Sequence, residues 1–419
     1  MALQRVAVAG GGLAGLSAAL ALKDRGAHVE LFERGRLLGG RATSFELDGI
    51  EVDNGQHVFL ACCTEFIAFA RAVGMEDALY VQPRFEALVL ERSGRKGSLR
   101  TGRLPAPLHL GPSFLQYGLL DTSAKLQIAR ALVSAMTDTV AKDETFEMWL
   151  RRNGQGAGAR RAFWDPFFIP AINAPFDRVG AADAMFVLRT AFLRDPKAAR
   201  FGFSRVPLAH FANAAAAKLD ATNTSSGVVS VAAADDNVQV RVGDRILEYD
   251  AVVLALPPRQ VERVLGDAAR FGVEHLGAYD PFPIVDVHCW HDGGTIGIDF
   301  AAALESPLQW IFEKAPGYLC CSFSAAEEYL LKRTADLEAL AWSEIQSFLP
   351  QLRDAKLTRA AVTRNPEATW LPKVGSPRTA QRTSNPRVSI AGSWTDTSWP
   401  DTMESAVRSG RLAAEAVAV

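Results

Sequence analysis

Hydrophobic residues near the N-terminus fall into short segments that glycines separate. The β-branched segment Arg5–Ala9 predicts a buried strand, and residues 16–23, which are rich in Ala and Leu, predict a helix. Gly26 ends that helix, and His28–Phe32 predicts a second strand. Strand, helix and strand therefore follow one another directly, and the rest of the chain is organised around them.

The remaining pattern alternates between strands and helices. Strands are predicted at residues 44–52 (a hairpin turning at Asp48 and Gly49), 84–103 (a strand pair), 228–231, 237–242, 246–250, 251–256, 281–291, 309–314, 318–323 and 387–391. Helices are predicted at residues 64–73 (with Thr64 as cap), 123–139, 145–151 and 325–348, and in a last helix that Thr402 caps. The run at 251–256 is fully apolar and two prolines stop it, which is typical of a buried parallel strand. This mixture predicts an α/β protein.

Three glycines stand between the first strand and the first helix, at G-x-G-x-x-G spacing. Gly10 allows the tight turn, Gly12 lets a pyrophosphate approach the backbone, and Gly15 lets helix and strand pack closely. The helix N-terminus offers free N–H groups and a partial positive charge to that phosphate. Glu33 ends the second strand, where a carboxylate can accept hydrogen bonds from a ribose. An acid there disfavours a 2′-phosphate, so the motif favours FAD or NAD over NADP.

Composition narrows the function classes. The chain has 419 residues, 48% of them hydrophobic and 22% charged, which predicts a globular protein of roughly two to three domains. A formal net charge of −2, without a block of like charge, argues against nucleic acid as a partner.

Five cysteines, as two adjacent pairs and a singleton, resemble neither a disulfide framework nor a metal site, so reduced thiols in a cytoplasmic protein and no metal are expected. No uninterrupted apolar run is long enough to predict a transmembrane helix, which leaves peripheral membrane contact open.

Residues 104–120 do not fit a regular element. They contain three prolines, several large apolar side chains and His109, which argues against a buried strand. A lid over an apolar tunnel, a patch resting on a membrane interface, and a connector packed on the core all remain open.

Glu33 is followed by Gly39, Gly40 and Arg41. This E-x5-G-G-R string resembles the FAD-binding signature of the amine oxidase and phytoene desaturase superfamily. The resemblance implies an α/β fold in which a Rossmann-type, GR2-like FAD-binding domain is interleaved with an α+β substrate domain carrying a mixed sheet and a helical insertion. The expected FAD-binding domain is discontinuous, at residues 1–85, 205–265 and 360–419. The substrate domain with its helical lid is expected at residues 86–204 and 266–359.

The resemblance also assigns residues to FAD. Val228 matches the position whose backbone pairs with adenine, and the helix after Thr402 is expected to point at the flavin pyrimidine edge. The family often has Asp where Ser393 stands, so either Ser393 or Asp396 is expected to hold the ribityl chain. The complete expected set is Gly10, Gly12, Leu13, Ala14, Gly15, Glu33, Arg34, Gly39, Gly40, Arg41, Val228, Gly392, Ser393, Thr402, Met403 and Glu404.

Several longer strings resemble one subfamily, hydroxysqualene dehydroxylase of bacterial hopanoid pathways. They lie at residues 52–64, 104–110, 163–166 with Asn173, 309–310, 392–395, 403–404 and 407–410. Ser405 and the pair Ile169-Pro170 depart from the subfamily pattern. The resemblance implies FAD-dependent reductive removal of an allylic hydroxyl from a C30 isoprenoid alcohol, giving squalene. A cytoplasmic enzyme in peripheral contact with the inner membrane face, with an unidentified electron donor, is the corresponding expectation.

This chemistry requires an acid for the departing water and apolar walls around the resulting cation. His57 is the first candidate acid and Asp53 the second, with Glu313 and His288 as weaker candidates; a structural histidine is the alternative for His57. The candidate substrate-binding residues are Phe59, Trp164, Phe167, Phe168, Asn173 and Trp310, although core packing alone could explain the aromatic run at residues 162–173.

Two other functions stay open. A carotenoid or isoprenoid desaturase, or an amine oxidase, of the same fold would run hydride from substrate to flavin. An isoprenoid-binding escort protein would carry no flavin, but such proteins typically lack the intact glycine set that is present here.

Overall fold

The computed structural model describes residues 4–234 and 236–417, and its strands divide mainly between two large sheets. The strands are β1 (Arg5–Ala9), β2 (His28–Phe32), β3 (Ser44–Leu47), β4 (Ile50–Asp53), β5 (Phe59–Leu60), β6 (Leu79–Val81), β7 (Glu86–Leu90), β8 (Lys96–Arg100), β9 (Phe201–Ser204), β10 (Ala221–Asn223), β11 (Val228–Ala233), β12 (Val238–Val242), β13 (Arg245–Tyr249), β14 (Ala251–Leu254), β15 (Tyr279–His291), β16 (Phe300–Ala303), β17 (Trp310–Ala315), β18 (Tyr318–Ser324), β19 (Leu357–Pro372) and β20 (Val388–Ile390). The helices are α1 (Leu13–Asp24), α2 (Thr64–Ala72), α3 (Gly111–Gln116), α4 (Thr122–Thr137), α5 (Phe146–Arg152), α6 (Ala157–Ala159), α7 (Asp165–Ile172), α8 (Ala181–Val187), α9 (Ala209–Ala216), α10 (Pro258–Leu265), α11 (Thr334–Phe348) and α12 (Met403–Ala416).

The first sheet is parallel, in the order β10-β2-β1-β14-β20. Because side chains alternate across a strand, Val6 and Val8 of β1 pack against α1 and α12, while Ala7 and Ala9 face the antiparallel sheet β11-β12-β13 and α10. Both faces are thus covered, as a parallel sheet requires. The loops that follow its strands open at one edge, towards the second sheet.

The second sheet has seven strands in the order β19-β15-β18-β17-β16-β7-β8. One face, including Val285 and Val287 of β15, packs on α11. The opposite face, including Trp310 and Phe312 of β17, meets the aromatic core of the helical segment between β8 and β9. The sheet is mixed, because β16 pairs with β7 in parallel and with β17 antiparallel.

The sequence-based fold class, with its parallel nucleotide-type sheet and mixed second sheet, is confirmed. The domain limits remain a prediction, although the expected limit at residue 360 falls within β19, a strand of the second sheet. The predicted hairpin is present as β3 and β4, with Asp48 and Gly49 at its turn. Thr402 caps α12 as predicted, by accepting from Ser405 N–H at 3.3 Å.

Two helix predictions differ from the structure. The helix expected at 325–348 begins only at Thr334, because Ala325 takes a left-handed conformation (φ +49°) and donates its N–H to Asn173 Oδ1 at 2.8 Å. A short 3₁₀ helix at Glu327–Tyr329 follows before α11 begins. At α2 the N-cap residue is Cys63 rather than Thr64, and Thr64 is the first helical residue.

Residues 104–120 include a short turn at Leu108–Leu110 and helix α3. On one side His109 and Tyr117 are fully buried, as expected for a connector packed on the core. On the other side Leu104, Leu108 and Leu115 are 46%, 60% and 72% exposed. The segment is therefore packed on the core on one side and leaves an apolar outer face in solvent, while contact with a membrane stays a prediction.

Candidate functional site

A cavity of about 1090 Å³ lies between the parallel sheet and the second sheet. At one end it is lined by the loops that follow β1 and β2, and at the other by side chains of β15, β17 and β18 and of the helical segment. Ligand pockets usually measure about 300–1,000 Å³, so this cavity exceeds the range for a single small molecule. Its size suits a cofactor and a substrate together.

The glycine turn forms the first end of the cavity. Gly10 has φ +106°, and a Cβ built there would lie 2.2 Å from Ala255 O. A Cβ on Gly15 would lie 1.9 Å from Gly10 O, so this glycine is required where α1 packs against the turn. A Cβ on Gly12, in contrast, would meet nothing closer than 3.7 Å. Gly12 therefore leaves open space at the N-terminus of α1, which no side chain caps.

Glu33 lies beside this turn. Its carboxylate accepts hydrogen bonds from Gly11 N–H at 2.8 Å and from Gly35 N–H at 2.6 Å. Each oxygen keeps a further acceptor site, so the carboxylate is held in place while it can still accept from a ribose hydroxyl. Arg34 and Val228 line the same part of the cavity, as do Leu13 and Ala14.

Arg41 crosses the middle of the cavity wall in a fixed position. Its Nη1 donates to Asp401 Oδ2 at 3.0 Å and to Ala368 O at 2.8 Å, and its Nη2 donates to Ser393 Oγ. The Asp401 side chain is only 3% exposed and also accepts from Trp370 N–H at 2.6 Å. Sequence analysis missed Asp401. Ser393 lines the cavity, whereas Asp396 is exposed and lies outside it, which leaves Ser393 as the polar group at this position.

Helix α12 points its N-terminus at the cavity, where Thr402, Met403 and Glu404 are part of the wall. Glu404 is fully buried and accepts from Glu65 N–H at 3.2 Å and Phe66 N–H at 2.8 Å, in the first turn of α2. Burial raises the pKa of this carboxyl. Glu404 therefore joins the N-termini of two helices at the cavity, a structural role that its predicted place at the cofactor did not include.

Most of the predicted aromatic residues line the far end of the cavity. Phe167, Phe168 and Trp310 do so, and Phe59 lines the cavity from the core of the parallel-sheet side. Trp164 does not: it is fully buried among other aromatic rings and donates from Nε1 to Gln155 Oε1 at 2.8 Å, so the prediction that it contacts substrate is wrong. Further members of the wall, missed in the sequence, are Phe186, Phe192, Phe201 and Phe312.

Asn173 lines the cavity, but its amide is used within the protein. Its Nδ2 donates to Thr369 Oγ1 at 2.9 Å and to Phe282 O at 3.1 Å, and its Oδ1 accepts from Ala325 N–H. Asn173 itself has a left-handed conformation at the end of α7. The residue ties three segments together at the cavity wall.

The two first candidate acids are not arranged to give up a proton. His57 lines the cavity, but its Nδ1 and Nε2 each lie 3.0 Å from a backbone carbonyl oxygen, of Gly55 and Arg41. Burial lowers the pKa of His57, and a neutral imidazole has a single N–H, which one of these carbonyls accepts. Asp53 lies outside the cavity wall, where Ser44 Oγ–H and Leu208 N–H donate to it at 2.7 and 2.9 Å.

The weaker candidates also lie away from the cavity. Glu313 accepts from Ile296 N–H at 2.7 Å and from Thr295 Oγ–H at 2.9 Å, and His288 Nδ1 lies 2.7 Å from Tyr318 Oη. Neither residue is part of the cavity wall.

An acid that the sequence analysis did not select does line the cavity. Asp286 of β15 is 3% exposed, and burial raises its pKa to about 7. Its Oδ1 accepts from Gln56 N–H at 3.3 Å and from Ser322 Oγ–H. A usable signal existed: an aspartate in the middle of the apolar segment 281–291 has to be buried with partners.

The first end of the cavity, at the glycine turn, fits a dinucleotide. The open space at Gly12 and the uncapped N-terminus of α1 suit its pyrophosphate, and the Glu33 carboxylate, held by its two hydrogen bonds, suits its ribose. The buried, unpaired Oε1 of Gln56, in the cavity wall beside His57, is one further polar atom available to a bound group. Together with the fold, these features define a flavin-dependent oxidoreductase.

The model of the flavin containing amine oxidoreductase family matches residues 13–418, and the chain belongs to that family. Its cofactor is FAD. The chain is 24% identical to hydroxysqualene dehydroxylase of Zymomonas mobilis, covering 97% of both chains. It is also 24% identical to the probable zeta-carotene desaturase of Synechococcus elongatus, covering 99% of this chain and 98% of that one. Among solved structures, cyclohexylamine oxidase from Brevibacterium oxydans superimposes with a TM-score of 0.69 at 17% identity, over 99% and 98% of the two chains.

Across residues 4–234 and 236–417, no group of histidine, cysteine and acidic side chains is arranged to hold a metal ion. The helices in these ranges include none that is long and apolar enough to cross a membrane.

Proposed function

We propose that the protein removes the allylic hydroxyl of hydroxysqualene reductively, giving squalene. The observation that carries this proposal is the far end of the cavity, which combines an aromatic wall with a buried carboxyl group. Loss of water from an allylic alcohol needs an acid, and the resulting cation needs walls that exclude water and stabilise positive charge. The likeness to hydroxysqualene dehydroxylase over nearly the whole chain supports the same substrate.

The chain's own residues would divide this work between the two ends of the cavity. The glycine turn, Glu33 and the N-terminus of α12 would hold the cofactor, and Arg41 with Ser393 would lie along it. Bound and reduced, FAD supplies a hydride with its two electrons. The rings of Phe167, Phe168 and Trp310 would enclose the isoprenoid chain. Trp310 is fixed in place because its Nε1 donates to Pro166 O at 3.1 Å.

An anaerobic absorbance experiment tests the proposal. The purified protein, loaded with FAD and reduced by dithionite, is mixed with hydroxysqualene, and products are extracted. Return of the oxidised flavin band together with squalene formation is expected. A flavin band that stays bleached, without squalene, would overturn the proposal.

Carotenoid desaturation is the second candidate, because a zeta-carotene desaturase is as similar to this chain as the dehydroxylase is. A desaturase takes hydride from its substrate, so the oxidised protein would bleach on addition of zeta-carotene or phytoene. The same spectrometer therefore separates the two candidates by the direction in which the flavin band changes.

We further propose that the protein takes its apolar substrate from the inner face of a membrane. Leu104, Leu108 and Leu115 are exposed on the segment before α4, and Leu126 and Val133 of α4 are 52% and 68% exposed. Arg103 and Arg130 are exposed on the same two segments and would favour anionic lipid. Co-sedimentation with vesicles containing phosphatidylglycerol is expected, and its loss in a Leu108→Glu, Leu115→Glu double variant. A protein that stays in the supernatant with every vesicle would contradict this.

A further inference from the structure

Asp286 is buried in the sheet, yet it reaches the cavity. It lies in the middle of β15, opposite Ser322 of β18, and both residues line the cavity. Its carboxyl group packs directly on Gly55, since a Cβ built on Gly55 would lie 2.3 Å from Asp286 Oδ2. The glycine of the Asp53-Asn54-Gly55 turn is therefore required for the aspartate to meet the segment that carries Gln56 and His57.

The two oxygens of Asp286 are not equivalent. Oδ1 accepts two hydrogen bonds, from Gln56 N–H and from Ser322 Oγ–H, which occupies both of its lone pairs. Oδ2 has no hydrogen-bond partner in the described parts of the chain. It also keeps some accessible surface, unlike the fully buried polar atoms that lack a partner. A proton on this carboxyl group therefore belongs on Oδ2, which lies beside Gly55, and both Asp286 and Gly55 are part of the cavity wall.

Some of the groups around the carboxyl group raise its pKa and others lower it. Burial is the largest effect and raises the pKa; the bonds from Ser322 and Gln56 and the positive charge of Lys314 lower it, and the charge of Asp53 raises it. Cys320 and Tyr318 on the neighbouring strand, His288 on its own strand and His57 beyond Gln56 are the other titratable groups nearby. The net result, a pKa of about 7, leaves a substantial protonated fraction at neutral pH.

From this geometry we infer that Asp286 is the catalytic acid of the site, giving the Oδ2 proton to the hydroxyl oxygen of the substrate as that group leaves. The inference rests on the proposed dehydroxylation. In the step, the Oδ2–H bond and the allylic C–O bond break, the C–O electron pair stays on oxygen, and a water molecule departs. Reduced FAD, when bound, would supply the hydride and its two electrons that the allylic carbon then requires. Asp286 is left as a carboxylate and regains a proton from solvent.

The test compares Asp286→Asn with Asp280→Asn. The amide of the first variant keeps the shape and an acceptor for Gln56 and Ser322 but has no acidic proton. Asp280 is on the same strand, outside the cavity, in an ion pair with Arg178 at 3.5 Å. Asp286→Asn is expected to retain FAD, with an unchanged flavin spectrum, and to lower kcat about a hundredfold or more. The wild type and Asp280→Asn should both lose activity above pH 7, and the residual activity of Asp286→Asn should lack this dependence.

A second readout does not depend on turnover. Infrared difference spectra of the FAD-loaded protein are expected to show the C=O stretch of a protonated carboxyl that disappears with a midpoint near pH 7 and is missing in Asp286→Asn. Near-wild-type kcat in a flavin-loaded Asp286→Asn, or a carboxylate that is ionised throughout the neutral range, would overturn the inference. If the wild type itself leaves hydroxysqualene unchanged, the proposed function fails instead, and the infrared titration still reports whether Asp286 holds a proton at the cavity.

Discussion

The two ends of the cavity are built in different ways. The nucleotide end consists largely of backbone from one contiguous stretch: the glycine turn, the N-terminus of α1, and Glu33 bonded to Gly11 and Gly35. The substrate end consists of side chains from distant segments, such as Phe168 of α7, Asp286 of β15 and Trp310 of β17. A site made of backbone depends on a few glycines at fixed spacing. A site made of side chains depends on how whole sheets and helices pack.

The largest expected effects come from two glycines of the nucleotide end, one needed for folding and the other for FAD binding. Gly15→Ala would place a Cβ 1.9 Å from Gly10 O, so we expect loss of soluble folded protein. Gly12→Ala has room for its Cβ, and the unfolding free energy of the apo-protein should change by about 1 kcal/mol at most. FAD affinity should nevertheless fall at least about tenfold, because the methyl group occupies the space of the pyrophosphate. Thermal melts and fluorescence titration with FAD measure the two effects; full FAD affinity in Gly12→Ala would place the pyrophosphate elsewhere.

The second prediction concerns the junction between the two ends. Asp401→Ala removes the partner of Arg41 and the acceptor of Trp370 N–H, both at a buried position. We expect a loss of about 2–4 kcal/mol in the free energy of unfolding, measured by urea denaturation. Asp336→Ala, which breaks only an exposed ion pair with Arg333, serves as the control and should melt like the wild type. Equal stability of both variants would show that Arg41 does not need its buried partner.

The third prediction uses the stability of the substrate end. The pKa of Asp286 is raised to about 7 in the folded protein, above its value in the unfolded chain of about 4, so the folded state binds more protons between these two values. The protonated Asp286 therefore makes its full contribution to the free energy of unfolding below pH 4, and this contribution is lost as the pH rises to 7. At pH 8, Asp286→Asn should be more stable than the wild type by about 1–3 kcal/mol, and the difference should vanish towards pH 4. Urea denaturation at several pH values checks this, and a constant difference would show that Asp286 is not held protonated.

The smallest expected effect is a shift in pH dependence. Ser322→Ala removes a donor that lowers the pKa of Asp286, so the alkaline loss of activity should move up by about one pH unit. Ser98→Ala, in β8 of the same sheet and outside the cavity, should leave the pH profile unchanged. A downward shift in Ser322→Ala would mean that the hydroxyl group does not stabilise the charged form.

The difference between the two ends also decided what sequence analysis could find. Most residues predicted for the cofactor line the cavity. The glycines and Glu33 follow from a short motif whose spacing fixes their geometry, and the residues after position 200 follow from the family resemblance. Gly15 is the instructive exception: it lies behind the turn, where its missing side chain lets α1 pack. At the substrate end, Trp164 and Phe168 belong to one aromatic run, and only one of them reaches the cavity. A π-helical turn at Arg160–Trp164, which the hydrophobic pattern does not reveal, precedes α7 and changes which side chains face the cavity.

Sequence analysis missed Asp286 as a candidate acid for the same reason: it does not show which side chains the fold brings to the cavity. His57 and Asp53 stand in a conspicuous string, but the fold turns both of them towards backbone and structural partners. Asp286 stands alone in an apolar strand and is 230 residues from Gln56, whose N–H it binds.

The sequence by itself determined the buried strands of the parallel sheet, the glycine turn of a dinucleotide site and the cap of α12, whereas the choice of FAD and the direction of α12 were implied by the family resemblance. The first three rest on local rules: alternating hydrophobicity, glycines that sterics make necessary, and a cap residue at a helix N-terminus. Only the tertiary structure decided that Asp401 pairs with Arg41, that Trp164 is core, and that Asp286 lines the cavity with an oxygen that has no hydrogen-bond partner among the residues the structure describes. The first and the last depend on partners hundreds of residues apart, and all three depend on burial. The pKa of a carboxyl group is set by such surroundings rather than by its neighbours in the chain.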